Sequence, residues 1–408
     1  MEQLEVEAGE VKRGLWADTN PVPPWDFPVG DCDHPAQASS SRCAAGYRGA
    51  LAQRALSTAS PGCSCGVRVV SAIQPTLKRL SESSGGFMRA AVVIILALLV
   101  FGVGGWALWD RIAVMAAPKK ETIAARSEAA TKADDVFWTT FHNGEYDRIQ
   151  SALEVLTAAY LRTPNDAKTA AHIAWLHNWR IAERARMDSP PATITDDTIL
   201  ARRYFQEAVN LDASDARYLG FLAGHTLAEG TLHKDERLTR EGYFMMLDAI
   251  KAWPEFNLFT GGYVMSRLPA DSPQFREGLG WQWQALDRCI ERKLDRANPD
   301  YSQYMVKETT EGKKRVCWNS WIAPHNLEGF FLNMGDMLVK SGDWQTAQKI
   351  YGNARLLRTY ATWRYQSVLE DRINRAQANV ALLNAPDGTP KARMMINSQF
   401  SCMACHQQ

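Results

Sequence analysis

Between Ala90 and Trp109 the chain reads AAVVIILALLVFGVGGWALW, without a charge, a proline or a strongly polar side chain. About twenty residues, at roughly 1.5 Å each as helix, match a hydrocarbon core of about 30 Å. Only a segment that satisfies its own backbone groups survives in that medium, and a helix does so. The run is therefore expected to be a transmembrane helix or signal anchor over residues 88–112. A buried core helix is the alternative, and both the length and the purity of the run count against it.

The run divides the chain into unlike parts. Residues 1–87 mix Pro, Ser, Gly and Ala without helical or strand period, as in Pro21-Val22-Pro23-Pro24 and Ser39-Ser40-Ser41. They read as a disordered extension. Met88-Arg89 stands directly before the apolar residues, as the start of a signal anchor does, so a translation start at Met88 is a second reading. Cys63-Ser64-Cys65 with Cys43 and His34 fits no zinc spacing. Past the run, Val114-Met115-Ala116 offers small residues to a signal peptidase, leaving the anchor either retained or cleaved. Its length favours retention.

From a polar linker at 113–136 onward, apolar residues recur at helical spacing. Phe205, Ala208, Val209 and Leu211 form one stripe, and Tyr218, Leu222, Ala223 and Leu227 the next. Breaks such as Pro164-Asn165-Asp166 and Asp212-Ala213-Ser214-Asp215 separate paired helices. The expected fold class is all-α over 137–385. Lys and Arg total 46 against 45 Asp and Glu, and no basic run is interleaved with aromatics, so a nucleic-acid partner is not expected.

Several helix pairs resemble tetratricopeptide repeats, in which small residues let two helices approach and a Pro- or Asp-rich turn leads to the next unit. Gly342-Asp343-Trp344 with Ala347, Ile350, Tyr351 and Ala354 carries the clearest likeness. Phe205 to Gly230 follows, with Ala208, Leu211-Asp212, Ala216 and Tyr218 in family-like places. Gly144, Tyr146, Pro164 to Ala167, Ala171 and Trp175 suggest an earlier unit, and Ala249-Ile250 with Trp253-Pro254 another. Unit spacing is irregular rather than the family's roughly 34 residues. The resemblance implies a concave face offered to a peptide or partner protein.

Cys317 to Asn326 (CWNSWIAPHN) interrupts the helices. It is expected to be packing that ends in an N-cap at Asn326, with a pocket wall as the other reading. Cys289 and Cys317 are either a disulfide, if this region lies outside the cytoplasm, or two buried thiols.

The end of the chain, residues 386–408, carries the chemistry. Cys402-Met403-Ala404-Cys405-His406 has the C-x-x-C-H spacing that places two thiols on one helical turn with an imidazole directly after. A redox Cys-x-x-Cys pair and a zinc half-site compete. The first usually opens a helix in a strand–helix–strand fold, and the second wants a further ligand pair. The five residues resemble the attachment motif of c-type cytochromes. The likeness implies one covalent haem c, with thioethers at Cys402 and Cys405 and His406 as proximal iron ligand. Most such proteins draw a distal Met from later in the chain, but here only Gln407 and Gln408 follow. A distal ligand then comes from upstream, with Met394, Met395 and His325 as candidates, or the iron is five-coordinate as in many cytochromes c-prime.

Positive charges flank the apolar run nearly equally, with Lys78, Arg79 and Arg89 before it and Arg111, Lys119 and Lys120 after. Haem is joined to such motifs outside the cytoplasm, which points to a single-pass protein of the bacterial inner membrane with a periplasmic C-terminal domain. Three functions follow. The first is a membrane-anchored electron carrier that docks a redox partner. The second is a scaffold binding a partner's peptide, as in cytochrome assembly. The third is a haem-based gas sensor or enzyme with an open iron position.

Overall fold

Ser127 starts the helical body. Its hydroxyl accepts from Ala130 N at 3.2 Å and caps α1 (Glu128–His142), whose first turn carries Glu128 against the positive end of the helix. Helix therefore begins inside the stretch expected to be linker. The computed structural model describes residues 109, 111–123, 125–385 and 394–408. The apolar run lies outside them except for Trp109. No helix among the described residues is long and apolar enough to cross a membrane.

Residues 117–408 form one body built from helices, with no strand among the described residues. After α1 come α2 (Ile149–Arg162), α3 (Ala167–Ala182), α4 (Asp196–Leu211), α5 (Ala216–Leu232) and α6 (Glu236–Ala252). Then follow α7 (Pro254–Met265), α8 (Pro273–Ile290), α9 (Asn326–Lys340), α10 (Trp344–Asn353), α11 (Gln366–Asn374), α12 (Ala376–Leu383) and the single turn α13 (Met403–His406). The chemistry of the breaks sets most starts. Asp166, Asp215, Asp235, Ser272 and Asp343 each cap the helix that follows with a side-chain oxygen. Pro254 and Pro273 occupy first positions, where their missing N–H costs nothing.

Each helix packs on the next, giving the pairs α1/α2, α3/α4, α5/α6, α7/α8 and α9/α10. At the α5/α6 crossing a Cβ on Gly242 would stand 2.6 Å from the Leu227 nitrogen, so glycine sets how closely these helices approach. The odd-numbered helices also touch one another through rings. Phe137 stacks on His172 with centroids 4.0 Å apart, Trp175 meets Phe221 at 5.6 Å, Phe221 meets Phe256 at 6.2 Å, and Phe259 meets Phe330 at 5.4 Å. These contacts make α1, α3, α5, α7 and α9 one continuous layer.

A long connection joins α8 to α9, tied by the Cys289–Cys317 disulfide with 5.6 Å between Cα atoms. The Asn326 side chain does not cap α9. Its amide donates to the Val316 and Trp318 carbonyls, holding the connection, and Asn319 Oδ1 instead accepts from Leu327 N at 2.8 Å. A residue outside the helix thus meets one of its free amides, because the disulfide-tied connection folds back over the helix start.

Candidate functional site

After α12 the chain returns, and residues 394–408 lie against the odd-helix layer. Met395 N donates to Asp336 Oδ2 of α9 at 3.2 Å. The Tyr263 hydroxyl of α7 donates to the Ser401 carbonyl at 3.2 Å and also bonds its hydroxyl. At the end of α3, Glu183 Oε1 accepts from the backbone N–H groups of Cys402 and Met403, at 2.7 and 2.9 Å. Its other oxygen takes Trp179 Nε1 and Arg186 Nε. Beyond the turn, Gln407 Nε2 donates to the Asn143 carbonyl and Gln408 N to the His142 carbonyl, both at the end of α1. The segment touches α1, α3, α7 and α9. Met403 joins the core of α1 to α3, whereas Ala404 and Cys405 join the larger core around α5 to α12. The C-terminal turn is thus a wedge shared by both cores.

Within the wedge, the Ala404 carbonyl accepts from buried Trp363 Nε1 at 2.8 Å, and the Cys405 carbonyl from His325 N at 3.0 Å. Cys402 Sγ lies 3.7 Å from Asn178 Nδ2 of α3. Cys405 Sγ sits beneath α9, 4.0 Å from the Asn326 carbonyl, in space left by Gly329, where a Cβ would come within 2.2 Å of the sulfur. Both cysteines are free thiols. Burial pushes the Cys405 thiol up to about 12, with the charge of Glu328 adding to it. Burial raises Cys402 well above the ordinary thiol range, helped by Glu183 and Cys405. An attacking thiol needs the opposite environment, so these surroundings disfavour a thiol–disulfide reagent. Among the described residues no group of three or more His, Cys, Asp or Glu is placed to hold a metal ion.

The His406 ring donates from Nδ1 to the Ile322 carbonyl at 2.8 Å. A carbonyl only accepts, so the proton sits on Nδ1 and the Nε2 lone pair is left for a ligand. Burial holds the imidazole down near a pKa of about 4, against the raising effect of Ile322 and with the charge of His142 lowering it further. It is neutral at pH 7. Phe141 lies 5.0 Å from this ring, and His142, its pKa lowered by burial, forms a three-ring cluster with Trp138 and Trp321, 5.0 Å from each, the two tryptophans being 4.7 Å apart. Trp321, 61% exposed, covers this edge from outside.

The structure places Cys402, Cys405 and His406 on one turn and brings His325 to it through its backbone. The His325 ring is engaged elsewhere, with Nδ1 3.1 Å from Glu328. Met394 and Met395 are buried in the core around α9. The partners that sequence reasoning missed are Glu183, Asn178, Tyr263, Trp363 and His142. None stands in a motif, and only the return of the tail to the odd helices brings them to it. No known protein family, curated protein or solved structure matches this chain.

Proposed function

We propose that this protein is a membrane-anchored, single-haem c-type cytochrome, an electron carrier rather than an enzyme. The observation that carries the reading is the C-terminal turn, which bears two free thiols, one buried and one half-buried, and a half-buried neutral imidazole with Nε2 left for a ligand. That donor set fits a covalent haem. Cys402 and Cys405 would supply the thioether sulfurs and His406 Nε2 the proximal bond to iron. When bound, the haem supplies reversible one-electron transfer. The chain's own residues do the rest. Ile322 fixes the imidazole tautomer, Glu183 and Trp363 hold the turn, and the Phe141 ring packs against the imidazole.

The array is read as tetratricopeptide-like. Support comes from five successive helix pairs, three of whose first helices start at Asp166, Asp215 or Pro254, and from a continuous layer of first helices. Its layer of first helices carries the chain's own tail, which favours a holder of the haem segment over a scaffold for a foreign peptide. Placement of residues 117–408 in the periplasm, behind an anchor at 90–109, is supported by the Cys289–Cys317 disulfide, a bond of oxidising compartments.

Engagement of His325 with Glu328 and burial of Met394 and Met395 against α9 favour one second reading, a five-coordinate iron open to small gases. Expression with a cytochrome maturation system tests both. The mature chain is expected to gain the mass of one haem, to give a pyridine haemochrome spectrum, and to lose both in a Cys402→Ser/Cys405→Ser variant. An unmodified mass ends the proposal. Rapid carbon monoxide binding to the reduced protein selects the open-iron form.

A further inference from the structure

A cavity of about 490 Å³ opens beside the long connection between α8 and α9. Its wall takes Glu255 from the first turn of α7, Cys289 and Glu291 from the end of α8, and Glu311, Lys313 and Lys314 from the connection. The reactive feature of that wall is the Cys289–Cys317 disulfide, whose two sulfurs are unequally placed. Cys289 lines the cavity and is half-buried, whereas Cys317 is only 3% exposed.

Thiol–disulfide exchange requires the incoming sulfur to reach one sulfur of the bond, so access chooses the target. Here it chooses Cys289. The cavity falls in the range of roughly 300–1,000 Å³ that holds small molecules. Its charges choose among small thiols. Lys314 is ion-paired with Glu291, and Lys313 Nζ donates to the Ala252 carbonyl at 2.8 Å. The three glutamates outnumber the two lysines on the wall, and one oxygen of Glu255 is buried with no hydrogen-bond partner. A wall of that sign draws in an amine-bearing thiol and repels an anionic one.

We propose that Cys289 is a site of thiol–disulfide exchange, reached through this cavity by a small amine-bearing thiol. The incoming thiolate forms a bond to Cys289 Sγ and breaks the bond to Cys317, which leaves as a thiolate and takes a proton from water. A second thiolate attacks the outer sulfur of the mixed disulfide, releasing Cys289 and a small-molecule disulfide. The protein bond gains two electrons, and the two small thiols lose them. This exchange does not rest on the cytochrome reading. That reading gives it a consequence, because the same connection brings the Ile322 carbonyl to His406 Nδ1.

The experiment exposes the full, folded, oxidised chain briefly to cysteamine, alkylates it with N-ethylmaleimide and maps the peptides by mass. Cysteamine is expected on Cys289 and the maleimide on Cys317. Cysteamine on Cys317, or on both cysteines equally, overturns the proposal. A bond that resists the thiol until denaturant is added overturns it as well. The rate is then compared with that of 3-mercaptopropionate, each divided by its rate on hydroxyethyl disulfide. A several-fold advantage for cysteamine is expected at low salt, shrinking at high salt and in Glu311→Gln, which alters an exposed side chain. Equal corrected rates overturn the assigned class of thiol. Both readouts are made on protein with or without haem, so a chain that gains no haem ends the cytochrome reading alone.

Discussion

Glu183 accepts the backbone N–H of Cys402 across 219 positions of sequence, at 2.7 Å, and the next N–H, of Met403, at 2.9 Å. A carboxylate so placed caps the one-turn helix of the motif, and burial raises its pKa above the ordinary 4.5. The folded state therefore holds the proton more tightly than the unfolded chain does. Stability attached to this group is lost as pH rises from the ordinary glutamate range towards the raised value. Glu183→Gln keeps an acceptor and removes the titration, so its stability relative to wild type is expected to rise with pH over that window. Glu183→Ala leaves two buried N–H groups unpaired and is expected to cost about 2–3 kcal/mol at every pH. Urea unfolding of the three proteins from pH 4 to 8 checks this, and parallel pH profiles for wild type and Gln would refute it.

Helix starts are legible in the sequence because their causes are local. Asp166, Asp215 and Asp343 cap helices a few residues away, and the apolar spacing that follows each one names the buried face. The spacing of Cys402, Cys405 and His406 is equally local. What surrounds them is not. Glu183, Asn178, Tyr263 and Trp363 reach the motif because the tail folds back on helices far earlier in the chain, and no periodicity encodes that return. Asn326 shows the same limit at short range. It has the residue type and position of a cap, yet the disulfide-tied connection delivers Asn319 to Leu327 N and turns Asn326 outward to Val316 and Trp318.

Gly329 leaves the space that Cys405 Sγ fills, and a Cβ there would approach the sulfur to 2.2 Å. Neither side yields easily, since the sulfur belongs to a turn pinned by Glu183, Trp363 and His325. Gly329→Ala is expected to destabilise by about 1–2 kcal/mol despite its better helix propensity. Gly280→Ala on α8, where an added Cβ meets nothing, is expected to be neutral or to stabilise by about 0.5–1 kcal/mol. Denaturant midpoints for the pair measure the difference, and equal effects would show that the sulfur is not tightly seated.

His225 is buried with its pKa pushed down to about 3, chiefly by desolvation and then by Arg267. Unfolding restores an ordinary imidazole near 6.5, so between those values the unfolded chain binds the extra proton. Stability is lost as pH falls through that window. At pH 4.5 the loss from this one residue is expected to be on the order of 2 kcal/mol. His225→Asn, which keeps a donor for Asn178, should flatten that part of the profile. The measurement is unfolding free energy at pH 7 and 4.5 for both proteins, and an equally steep acid loss in the variant would assign it to other groups.

The Cys289–Cys317 bond links the end of α8 to the end of a short 3-10 turn at Lys313–Cys317, the cysteines standing 28 positions apart. The connection it closes is the one that brings Ile322 to His406 Nδ1 and Asn319 to the start of α9. Closing a loop of that length restricts the unfolded chain by about 3 kcal/mol. Cys289→Ser/Cys317→Ser is therefore expected to lower the unfolding free energy by about that amount, and a reductant should lower the wild-type melting temperature by several degrees while leaving the variant unchanged. The loss should begin locally. Amide exchange is expected to rise first across residues 291–325 and next at the C-terminal turn, because the turn's imidazole and the Cys405 carbonyl both lean on that connection. Uniform acceleration over the whole helical body would mean that the bond serves global stability alone and does not support the placement of His406.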